Sequence, residues 1–116
     1  MYMIFFVLDD TSKLDAVLDA WDAIGVTGAT IIDSTGINRR RRARQVGAPF
    51  MGGINRLMTG SHETHYTLIT VVKDEATVKE CLKATEAIVG DLNQPNSGVL
   101  AAWPVSIVKG IPEELA

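Results

Sequence analysis

An apolar β-branched run, an amphipathic helical stripe closed by glycine and a second β-branched run follow one another twice in this chain, with a long aperiodic stretch between the two copies. In the first copy, Tyr2 to Leu8 is apolar, β-branched and aromatic and is bounded by Asp9, Asp10, Thr11 and Ser12. This predicts a buried strand ending in a turn, with Thr11 or Ser12 capping the helix that follows. Leu14, Val17, Leu18, Trp21 and Ile24 share one helical face, and Gly25 stops the helix. Thr27 to Thr35 holds the β-branched Thr30, Ile31 and Ile32 and predicts a second strand ending near Gly36. In the second copy, His65 to Val72 predicts a strand, Asp74 a helix cap, and Val78, Cys81, Leu82, Thr85, Ile88 and Val89 a helical stripe followed by Gly90. Val99 to Trp103 predicts a fourth strand, broken by Pro104, and Val105 to Val108 a short fifth.

Two such halves predict an α+β domain of ferredoxin-like topology, βαββαβ, with an antiparallel sheet and both helices on one face. At 116 residues the chain has room for one domain, residues 1–116. The other sheet face is then left open, and an open apolar face in so small a domain predicts a closed symmetric assembly. No apolar run approaches the ~20 residues that span a bilayer, and no basic residue precedes the first one, so the expectation is a cytoplasmic protein without signal peptide or anchor. The single cysteine, Cys81, fits a reducing compartment and, on its helical stripe, a place in the core.

The stretch from about 37 to 65 is the chain's charge anomaly. It contains six arginines and one glutamate, a local charge of +5, so the remainder sums to −8 against a net charge of −3. Structureless connections longer than about 12–15 residues are uncommon in compact domains and are usually functional or disordered. Arg39, Arg40, Arg41, Arg42 and Arg44 offer rigid guanidinium forks suited to phosphate or carboxylate. Phe50 and Met51, set among Pro49, Gly52 and Gly53, read either as an anchor for a partner's pocket or as side chains packed back on the assembly. RNA binding is disfavoured, because the chain is acidic overall, only 6% aromatic and without an RNP-type stretch. His62-x-x-His65 would place two imidazoles on opposite faces of a strand, so both read as strand-entry residues and no metal is expected. Asp9 and Asp10 read as turn residues, Trp21 as core and Trp103 as an interface residue. No nucleophile stands beside a base and no phosphate-binding P-loop is present, which argues against an enzyme.

Lys13-Leu14-Asp15 followed by Gly25-Val26-Thr27-Gly28-Ala29-Thr30, with Gly36 closing the next strand ahead of a long loop, resembles the P-II signal-transduction family of nitrogen regulators. The likeness is close over residues 8 to 40 and looser over 66 to 108. It implies a homotrimer that binds adenine nucleotides (AMP, ADP or ATP), and in some members 2-oxoglutarate, in clefts between subunits. It also implies that the loop of residues 37–65 docks on a partner enzyme or membrane transporter. Carried onto this chain, the effector-binding residues would be Gly28, Thr30, Gly36, Arg39, Arg40, Gly98 and Lys109, and the partner-binding residues Arg41, Arg42, Arg44, Phe50 and Met51. The chain departs from the family in three places. Asn38 replaces a loop glycine, the turn from Asp91 to Val99 lacks the family's Gly-Asp-Gly-Lys, and the C-terminal Arg-x-Arg is absent, leaving Lys109 and Gly110. About three phosphate-pairing cations are thereby lost. The alternatives are an interaction module with no effector, or a metal or stress protein of the related CutA type.

Overall fold

The computed structural model describes residues 1–37, 40–41 and 64–111. These form an α+β unit with one four-stranded antiparallel sheet and two helices. The described elements run β1 (Tyr2–Leu8), a single 3-10 turn (Thr11–Lys13), α1 (Leu14–Ala23), β2 (Thr30–Ser34), β3 (His65–Val72), α2 (Glu75–Val89) and β4 (Val99–Pro104). The sheet order is β2-β3-β1-β4, with β1 and β3 central. Since β3 is antiparallel to both β1 and β2, these two run in the same direction with β3 laid between them.

Alternation decides the two faces of the sheet. Ile4, Phe6 and Leu8 of β1 and Leu68 and Val72 of β3 are buried in one cluster with Val17 and Trp21 of α1, Val26, and Cys81 of α2. Trp21 is 1% exposed, its ring centroid 6.2 Å from that of Phe6 at an interplanar angle of 48°. Its indole N–H donates to Thr85 Oγ1 at 2.9 Å, and that hydroxyl donates to the Cys81 carbonyl at 2.7 Å. The two helices are thus joined by a buried polar link within the core. On the opposite parity lie Met3, Phe5, Val7, Ile69, Val71, Val99, Ala101, Trp103 and Ile32, and that face carries no Asp, Glu, Lys or Arg. Ile32, Val99 and Trp103 are between 44% and 59% exposed on it.

Several local expectations shift. Asp10, not Thr11 or Ser12, supplies the first cap, its Oδ1 accepting from the Ser12 N–H and hydroxyl, so a 3-10 turn precedes α1. The second strand starts at Thr30, because residues 27–29 run beside β3 without pairing to it. No fifth strand forms over 105–108: Pro104 has no N–H to extend the ladder, and Val105 makes one bond, to the Met1 carbonyl at 2.9 Å. The expected irregular loop begins instead in helical backbone at Ile37, Arg40 and Arg41, with the Arg40 N–H donating to the Gly36 carbonyl at 3.0 Å. Arginine favours helix, and no glycine or proline intervenes between Gly36 and Gly47. The rest of that loop, 38–39 and 42–63, lies outside the described residues.

Candidate functional site

The described candidates separate into two groups at opposite ends of the sheet. Gly36, Arg40, Arg41 and Gly98 lie at the end where β1 and β2 finish and β3 and β4 begin. Gly28 and Lys109 lie at the other end, and Thr30 stands on β2 opposite Ile69. Six residue steps of strand separate the ends, roughly 20 Å. One copy of the chain therefore does not bring all of its candidates together. Arg39, Arg42, Arg44, Phe50, Met51 and His62 lie outside the described residues.

The Gly28 end holds an open cleft of about 610 Å³. It forms because α1 stops early: the chain turns at Gly25, where φ is +91°, and rejoins the sheet only at Thr30. Strand β3 continues three residues beyond its last β2 pair, so the backbone of Thr70 to Val72 borders the cleft with no strand on that side. Across the gap Thr70 Oγ1 donates to the Gly28 carbonyl at 3.1 Å, and the space where a Gly28 side chain would stand is empty. Lys73, Asp74 and Glu80 rim the cleft, and Gly110 and Ile111, just after Lys109, close one side. Asp74 is committed to capping α2: its Oδ1 accepts from the Thr77 N–H at 2.8 Å and the Thr77 hydroxyl at 2.7 Å, and these bonds hold its carboxyl below the usual range.

At the other end, Ser34 and His65 are register partners. Ser34 Oγ lies 2.6 Å from His65 Nδ1, 2.8 Å from Thr67 Oγ1 and 3.2 Å from the His65 carbonyl. This cluster closes the mouth through which residues 35–64 leave and re-enter the sheet, and a side chain on Gly36 would lie 3.4 Å from His65 Nε2. Sequence reasoning missed it, since Ser34 and His65 meet only through strand register; the signal present was a β-branched run ending in Ser and another starting with His. Among the described residues no group of three His, Cys, Asp or Glu side chains could hold a metal.

Two candidate motif residues have structural duties. Gly98 has φ of +112°, and a Cβ there would collide with the Val7 carbonyl oxygen, so the close approach of the β4 entry to β1 itself demands glycine. Lys13, of the Lys-Leu-Asp motif, donates from Nζ to the Ile88 carbonyl at 3.3 Å, placing a cation on the last turn of α2. Arg40 and Arg41 are exposed. A scan against protein-family models and a search of curated proteins find no match to this chain.

Proposed function

We propose that this chain is a P-II-like signal-transduction protein of ferredoxin-like topology, with both helices on one face of the sheet. In this reading it is a cytoplasmic homotrimer that binds an adenine nucleotide between subunits and regulates a partner enzyme or transporter through residues 37–65. The observation that carries the reading is the division of the candidates between two ends of one sheet. A site built from Gly36, Arg40 and Gly98 of one copy and Gly28, Thr30 and Lys109 of its neighbour explains why neither half is complete alone. The outer sheet face, without Asp, Glu, Lys or Arg, supplies a surface for the copies to share. Base recognition falls to the Gly28 cleft and phosphate recognition to the arginines at the root of the long connection. Binding acts by population shift: the nucleotide favours whichever arrangement of the connection lets Arg39 and Arg40 reach it, and only that differential affinity moves the equilibrium.

The test is a thermal-shift screen at fixed salt and protein concentration against adenosine, AMP, ADP, ATP, cyclic AMP and 2-oxoglutarate, with light scattering to give the oligomer. A ligand at ~100 times its dissociation constant stabilises by about 2.7 kcal/mol. A trimer with a nucleotide response lost in Arg40→Ala supports the proposal. A monomer, or a trimer silent to every nucleotide, refutes the effector role and leaves the constitutive interaction module.

A further inference from the structure

Ser34 ends β2 and His65 begins β3, so two residues 31 positions apart in the chain become partners across a strand pair. Their contact joins a hydroxyl to a basic nitrogen. Ser34 Oγ lies 2.6 Å from His65 Nδ1, within the reach over which an imidazole takes a serine proton. The serine has one proton to give, and Nδ1 is nearer to it than the His65 carbonyl at 3.2 Å. Thr67 Oγ1, at 2.8 Å, is itself a hydroxyl and can donate to Ser34 Oγ, completing a chain that runs from Thr67 through Ser34 to His65. An accepting Nδ1 places the ring proton on Nε2, and that nitrogen faces Gly36, where a Cβ would stand 3.4 Å away. Ser34 and His65 are both half-buried and neither is sealed in the core. The strand register therefore holds a nucleophile against a base at an edge strand of the sheet.

We propose that Ser34 is an activated serine that accepts an acyl group from a small activated carboxylic ester, with His65 as its general base. The proposal goes beyond the nucleotide reading and does not depend on it. As Ser34 Oγ adds to the carbonyl carbon, its proton passes to His65 Nδ1. The tetrahedral adduct then breaks the bond to the leaving oxygen, which departs with the electron pair and takes the proton back from the imidazolium. The products are the Ser34 ester and the free alcohol, and no oxidant or reductant is involved. The serines elsewhere provide a reference within the same molecule. Ser12 donates its hydroxyl to the Asp10 carboxylate at 2.6 Å, a much weaker base than imidazole, and Ser106 is exposed. General-base assistance contributes about 10²–10⁴-fold, so Ser34 is acylated roughly a hundredfold faster than Ser106.

The experiment treats the full chain with p-nitrophenyl acetate, follows release of nitrophenolate, and maps the acetyl group by mass spectrometry of peptides at timed intervals. Expected are acetylation of Ser34 well ahead of Ser12 and Ser106, and a rate that rises with pH and then levels off once the imidazole is neutral. Ser34→Ala should lose the fast phase, and His65→Gln should bring Ser34 down to the rate of Ser106. Ser34 reacting no faster than Ser106, an acetyl group that stays on His65, or an unchanged rate in His65→Gln overturns the proposal. So does a wild-type rate that keeps climbing with pH, as for an unassisted alkoxide. The internal comparison of serines and the pH profile use only the wild-type chain, so they decide the matter even if the variants do not fold.

Discussion

Thr85→Val tests how much of the core depends on one hydroxyl. The side chain is fully buried, accepts from the Trp21 indole N–H at 2.9 Å and donates to the Cys81 carbonyl at 2.7 Å. Valine has nearly the same shape, so the change leaves no cavity and isolates the polar contribution. The Cys81 carbonyl keeps its place in the helix, but the indole N–H loses its partner in a site closed to solvent. A buried donor left unpaired costs about 1–3 kcal/mol, and the added methyl returns at most ~0.8 kcal/mol, so the net loss is about 0.2–2 kcal/mol. In a domain of this size that lowers Tm by roughly 4–8 °C per kcal/mol. Urea unfolding followed by circular dichroism, at one protein concentration throughout, measures it. Thr85→Ser, which keeps the hydroxyl and loses the methyl, is the control. A Thr85→Val protein as stable as the parent would refute the reasoning, since the link between the helices would then carry no net free energy.

Gly98→Ala is expected to destabilise by about 2 kcal/mol or more, because its Cβ meets the Val7 carbonyl and its φ is positive; a neutral result in chemical denaturation contradicts the geometry. Cys81 is buried and its thiol is pushed up to about 11, so it is expected to resist Ellman's reagent at pH 8 until denaturant is added. The same shift has a pH signature. Its folded pKa exceeds the ordinary value of 9.0, so stability is full below pH 9 and declines between pH 9 and 11, as the unfolded chain ionises first. A Cys81→Ala protein should lack that decline.

The legibility of the fold varies with how local its causes are. Strand β3 begins and ends at the residues the alternation marks, His65 and Val72, and Asp74 caps α2 through a contact three residues away. Such causes lie inside a short window of sequence. The start of α1 is displaced because two local options compete, and the Asp10 carboxylate takes the Ser12 N–H before Thr11 or Ser12 can cap. The 105–108 segment has β-branched residues but no strand beside it to complete a ladder, and propensity alone does not make one. Gly28 marks a cleft, yet the bare β3 backbone that forms its floor depends on where β2 joins the sheet. Gly98 enters the sequence reading only as a turn residue and as an effector-binding residue implied by the resemblance, while the backbone that requires a glycine there is on β1, at Val7.

The Ser34–His65–Thr67 cluster has a consequence for how this chain can vary. The connection of residues 35–64 departs from and returns to one hydrogen-bonded pair of strand neighbours, Ser34 and His65. Loop-closure entropy grows only logarithmically with length, so doubling such a connection costs about 0.6 kcal/mol. The position is therefore a socket. A change in the length of chain between Ser34 and His65 alters the closure entropy only slightly while that pair is kept.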